Sequence, residues 1–73
     1  MLRKKVICGG KAYSIEMMPN RDLLLQRHHV KLKTAQIGIV SNLEKALRSI
    51  RLHAGPGPMR VGEWEEVDDR PIS

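Results

Sequence analysis

The sequence predicts a small α+β domain: an N-terminal β-hairpin, a third strand, one amphipathic helix packed on the strands, and a disordered acidic C-terminal tail. Three features predict it: a Gly-Gly pair between two extended runs, an apolar stripe at helical spacing, and a change of charge near residue 60. A chain of 73 residues is long enough for one domain. We therefore assign residues 1–60 to the domain and residues 61–73 to a mobile tail.

The hairpin is predicted from residues 3–8 and 11–17, which flank Gly9-Gly10. Glycine readily takes the positive φ values that a two-residue type I′ turn requires. The resulting register places on one face, which we expect to be the core face, the apolar residues Leu2, Val6, Cys8, Tyr13, Ile15 and Met17. The other face is polar, with Arg3 opposite Glu16, and Ile7 is the only large apolar side chain there.

The stretch after Pro19-Asn20 is less regular. Leu23-Leu24-Leu25 is too short for a periodicity and fits either one helical turn or a buried loop. Apolar and polar residues alternate over residues 29–34, which predicts the third strand. Residues 34–40 fit a strand, a loop or an early start of the helix, although Gly38 disfavours the helix.

The helix is predicted to begin at a capping box, Ser41-x-x-Glu44, in which each side chain binds a free backbone N–H. One apolar stripe follows at three- and four-residue spacing, formed by Leu43, Ala46, Leu47, Ile50 and Ala54. Gly55 ends the helix. The Gly-Pro-Gly-Pro segment at 55–58 is interpreted as a hinge-like linker, and residues 59–64 fit a short strand.

The sequence shows no pattern typical of an enzyme or a metal site. Cys8 is the only cysteine, so no internal disulfide can form. We expect Cys8 to be buried rather than paired with His28 or His29 as a nucleophile, and we expect no catalytic activity, cofactor or metal. A lone thiol suits a reducing cytoplasm, and no apolar run is long enough for a signal peptide or a membrane span.

The charge is unevenly distributed. Residues 1–60 carry twelve Lys/Arg and three Asp/Glu, a net +9, whereas residues 61–73 carry one Arg and five acids, a net −4. A basic body favours an anionic partner, either nucleic acid or an acidic protein surface, but it also suits a merely solvated face. The two aromatic residues, Tyr13 and Trp64, are too few for a protein that stacks single-stranded bases, and the segment before Ser41 is too short and strand-like for a helix-turn-helix.

One feature favours protein binding. Ile7 is predicted to be exposed among basic residues, on a strand that we expect to form an edge of the sheet. Such a strand suits β-addition or docking to an acidic partner. The predicted partner-binding residues are Arg3, Lys4, Lys5, Val6 and Ile7.

The chain length, the basic charge and the N-terminal stretch RKKVICGG at residues 3–10 resemble a type of small regulator encoded by lytic phages. Those regulators bind the host RNA polymerase, hinder sigma-dependent initiation and promote antitermination. The resemblance implies a non-enzymatic role in transcription in the host cytoplasm, with a large polymerase subunit as partner. We expect a monomer. The residues leave open two alternatives: a regulator that binds DNA or RNA directly through its basic face, and a small toxin-like enzyme.

Overall fold

A five-stranded antiparallel sheet carries one helix on one of its faces in the computed structural model, which describes residues 1–28 and 34–67. The elements, in chain order, are β1 (Leu2–Cys8), β2 (Lys11–Met17), β3 (Leu23–His28), β4 (Ala35–Val40), α1 (Leu43–Ala54) and β5 (Met59–Glu66). The strand order is β4-β3-β2-β1-β5. The first four strands thus form a meander, and β5 returns beside β1. The predicted α+β class is confirmed.

The predicted hairpin and its register are confirmed. Val6 lies opposite Tyr13, and Arg3 lies opposite Glu16. The two turn glycines have φ values of 59° and 78°, which other residues adopt only at a cost. The hairpin could be predicted because its turn and its alternation both lie within one short stretch of chain.

The core lies between α1 and one face of the sheet. Its buried members are Val6, Cys8, Tyr13, Ile15, Leu23, Leu25, Ala46, Ile50 and Ala54. The predicted helical stripe is confirmed, since Leu43 and Leu47 pack against this cluster as well. The Tyr13 hydroxyl lies 3.0 Å from His53 Nδ1 and connects the sheet to the end of α1. Burial raises the pKa of Tyr13.

The leucine triplet corrects a prediction, because it forms neither a helical turn nor a loop. It begins β3, whose Leu25 lies opposite Ile15 of β2. Leu23 and Leu25 point into the core while Leu24 lies on the other face. The strand predicted over residues 29–34 lies outside the described residues, except for Thr34, which precedes β4. Residues 35–40 form β4, one of the three alternatives left open by the sequence.

The helix begins one residue later than the capping box predicts. Asn42 is the N-cap, and its Oδ1 accepts a hydrogen bond of 2.9 Å from the Lys45 backbone N–H. Glu44 instead forms an ion pair of 3.5 Å with Arg48, one turn further along. The predicted end is confirmed: Gly55 has φ 84° and donates its N–H to the Arg51 carbonyl.

The segment after α1 is held against the hairpin turn and is not a free hinge. The Gly9 N–H donates to the Pro58 carbonyl at 3.0 Å, and the Arg51 guanidinium donates to the Gly57 carbonyl. This anchoring directs the chain into β5. The predicted boundary at residue 60 therefore falls inside a strand. Residues 61–66 belong to the sheet, and residues 68–73 lie outside the described part of the chain.

Candidate functional site on the open face of the sheet

The face of the sheet opposite α1, called here the open face, displays only some of the predicted partner-binding residues. Arg3, Lys5 and Ile7 lie on the open face, where 50% of the Ile7 surface is exposed. Lys4 and Val6 alternate to the other face of β1 and are buried. Their side chains cannot reach a partner on the open face. A substitution at either position could change binding there only indirectly, by altering the structure of the domain.

Lys4 has a specific structural environment. Only 7% of its surface is exposed, and its ammonium donates to the Gly62 carbonyl at 2.7 Å and lies 5.1 Å from the centre of the Trp64 ring. A cation over an indole face is attracted by the ring quadrupole. The pairing of β1 with β5 shifts by one residue at this point, because Lys4 is opposite Trp64 but Val6 is opposite Val61. Lys4 therefore fastens β5 to β1 where their pairing is irregular.

A shallow concavity of about 240 Å³ occupies the open face near the hairpin turn. Its walls on the open face come from Arg3, Lys5, Ile7, Ala12, Ser14 and His28. Ala12 lies directly opposite Ile7 on β2, and Arg60 lies opposite Ile7 on β5. Side chains of directly opposed residues share one face of an antiparallel pair. Ile7 is thus the apolar centre of a surface bounded by cations.

Hydrogen bonds fix the floor of this concavity. Ser14 is fully buried, and its Oγ lies 2.7 Å from His28 Nε2 and 3.4 Å from Gln26 Oε1. His28 Nδ1 lies 3.1 Å from the Thr34 hydroxyl. A buried serine oxygen is closed to a substrate, and the histidine is oriented by a hydroxyl rather than by a carboxylate. We interpret this series of hydrogen bonds as a structural support that holds β2 and β3 together.

Charge differs between the two ends of the open face. At one end, Arg3 donates to Glu16 Oε1 at 2.6 Å and lies opposite Glu65 of β5, so its charge is compensated. At the other end, Lys5 and Arg60 form no ion pair within residues 1–28 and 34–67. The two open-face cations without an ion-pair partner among the described residues therefore lie beside Ile7.

The structure also corrects the predicted means of binding. β1 lies between β2 and β5, so its main-chain groups are paired on both sides and an added strand has no place beside it. Sequence reasoning identified Ile7 and Lys5 from the hairpin register. It missed Arg60, because no local pattern shows that a strand more than fifty residues away pairs with β1.

Comparison with known proteins gives no match: no family model, curated protein or solved structure matches the chain. The chemistry of the site is therefore inferred from its residues. Within the described part of the chain, no three His, Cys, Asp or Glu side chains are placed to hold a metal ion. Likewise, no described helix is long and apolar enough to cross a membrane.

Proposed function

We propose that this protein is a non-enzymatic transcription regulator that binds the RNA polymerase of a bacterial host through the open face of its sheet. It acts as a monomer in the host cytoplasm, where it hinders initiation and promotes antitermination. The observation that carries the docking surface is the half-exposed Ile7 between two cations that have no ion-pair partner among the described residues, Lys5 and Arg60. The resemblance to phage regulators in chain length, basic charge and residues 3–10 supports the choice of polymerase as partner.

The chemistry of the open face favours a protein surface with an apolar centre and an acidic rim. Covering the exposed half of Ile7 contributes about 1 kcal/mol, because complete burial of an isoleucine contributes roughly 1.5–3 kcal/mol. Lys5 and Arg60 add mainly to association rate and orientation, as rim charges do. The fixed floor at Ser14 and His28 means that the surface needs little rearrangement before it binds.

Direct binding of nucleic acid is less well supported, because two of the three helix cations, Arg48 and Arg51, are engaged within the protein. Arg48 forms an ion pair with Glu44. Arg51 donates to the carbonyl groups of Gly55 and Gly57. Phosphates would have to compete with these contacts.

A pair of variants tests the proposal. Ile7→Glu places a carboxylate at the centre of the open face and should weaken binding to purified host RNA polymerase by at least about tenfold, equivalent to roughly 1.4 kcal/mol. Leu52→Glu is the matched control, because Leu52 is 79% exposed but lies on α1, across the sheet from the open face. It should bind like wild type. Both variants should unfold at the wild-type temperature.

Wild type and the Ile7→Glu variant also distinguish polymerase binding from direct DNA binding. Wild type should reduce the yield of a promoter-initiated transcript and increase read-through of a terminator in a purified reaction, and Ile7→Glu should lose both effects. A DNA-binding regulator would instead lose duplex affinity with salt, with a log–log slope near −0.9 per phosphate contacted. Tight sequence-specific DNA binding without any effect on polymerase would contradict the proposal.

A further inference from the structure

The two edges of the sheet carry different side chains. β5 has four charged residues among its eight, Arg60, Glu63, Glu65 and Glu66, whereas β4 has the sequence AQIGIV with no charge. Both strands have one shift of register in their pairing, so the difference between them lies in the side chains. Charged residues on an edge strand normally prevent another chain from pairing with it. The outer edge of β4 lacks this protection.

The end of β4 next to α1 offers an apolar wall and a cation. A concavity of about 360 Å³ is lined there by Asp22, Ile39, Val40, Ser41 and Lys45. Ile39 lies opposite Leu24 and is 49% exposed. Lys45 Nζ lies 3.4 Å from the Ser41 hydroxyl and forms no ion pair within the described residues. Its charge is available to a carboxylate.

We propose that β4 accepts an extended segment of a partner protein as an additional strand. The segment places an apolar side chain against Ile39 and a carboxylate beside Lys45. Main-chain hydrogen bonds to the outer edge of β4, which pairs with no strand within residues 1–28 and 34–67, supply affinity. Alternate side chains supply specificity, as in other cases of β-addition. This surface is separate from the Ile7 site and does not depend on the identity of the partner proposed above.

A second copy of the chain fits this edge less well than a foreign segment. The β4 strand of a copy carries no carboxylate to offer Lys45. Its β5 strand does carry carboxylates, but in the density of charge that keeps an edge strand from pairing. Each chain also has a formal net charge of +5, so two copies repel each other, whereas an acidic segment is attracted. The electrostatics therefore favour a partner segment that is apolar and acidic.

The test uses a defined probe, the acetylated and amidated peptide Thr-Val-Thr-Ile-Thr-Ile-Glu, added to isotope-labelled full-length protein. We expect saturable NMR shift changes at millimolar peptide in the amides of residues 35–40, with slower hydrogen exchange there. The same peptide with N-methyl groups on alternate residues cannot form the main-chain ladder and should not bind. The peptide ending in Gln instead of Glu should bind roughly two- to fivefold more weakly, as for loss of an exposed ion pair.

Two charge-introducing variants provide the matched comparison. Ile39→Lys puts a charge on the β4 edge and should abolish the peptide-induced changes. Val61→Lys, at a 43% exposed position on the opposite edge strand, should leave them unchanged. The unperturbed amides of β1 and β2 report that each variant is folded.

Four results would overturn the proposal: no saturable change in residues 35–40, changes confined to β5 or the Ile7 site, equal binding of the N-methylated peptide, or concentration-dependent β4 shifts without peptide. The last would identify β4 as a dimer interface. Because the assay contains no polymerase, its outcome is independent of the proposed function.

Discussion

The N-cap of α1 provides a sharp test, because two adjacent side chains compete for the position. Asn42→Ala removes the Oδ1 that accepts the Lys45 N–H at 2.9 Å. Loss of an N-cap side chain costs about 1 kcal/mol, which in a domain of this size lowers the melting temperature by roughly 4–8 °C. Ser41→Ala removes only an exposed contact of 3.4 Å to Lys45 Nζ, so its effect should stay within about 0.5 kcal/mol.

Thermal and urea unfolding, followed by circular dichroism, measure both changes. Asn42→Asp is a useful third variant. A carboxylate is an equally good cap and also interacts favourably with the helix dipole, so the wild-type stability should be kept or exceeded. A loss from Ser41→Ala as large as that from Asn42→Ala would refute the assignment and restore the capping box predicted from the sequence.

Two further pairs of variants test the packing of the fold by chemical denaturation. Ile50→Ala, at a fully buried position facing the sheet, should lower the free energy of unfolding by roughly 2–5 kcal/mol. Leu52→Ala, on the solvent side of α1, should change it little. Equal losses would mean that α1 presents a different face to the sheet. Gly57→Ala should cost more than Gly55→Ala: both have positive φ, but only at Gly57 would a Cβ lie 2.6 Å from the Gly9 Cα. If Gly57→Ala were the milder change, the segment would not be held against the hairpin turn.

Non-local pairing explains most of what sequence reasoning missed in the fold. Leu23-Leu24-Leu25 has no periodicity of its own, and it is a strand because Leu23 and Leu25 bury against α1 when β3 pairs with β2. The misplaced cap has a different origin. Ser41 and Asn42 are both good capping residues. The capping-box spacing to Glu44 favoured Ser41, whereas the N-cap in the structure is the next residue, Asn42.

In the candidate site, the separation of Ile7 from Val6 follows from strict alternation along β1 and could be predicted. The inclusion of Lys4 and Val6 among the binding residues ignored the same alternation, which buries Val6 in the core and turns Lys4 toward Trp64 and the Gly62 carbonyl. Arg60 could not be foreseen, since its position beside Ile7 depends on the return of the chain after α1.

Elements whose signals lie within a few residues follow from the amino-acid sequence alone: the Gly9-Gly10 hairpin with its register, the apolar stripe of α1 and its end at Gly55. In each, a local backbone preference and a local apolar pattern agree. The pairing of β5 with the second side of β1 is visible only in the folded chain. This pairing removes the edge predicted at β1 and makes β4 the edge strand without charged residues. Strand neighbours are chosen by burial and main-chain pairing between distant segments, and these act only once the chain has closed its loops.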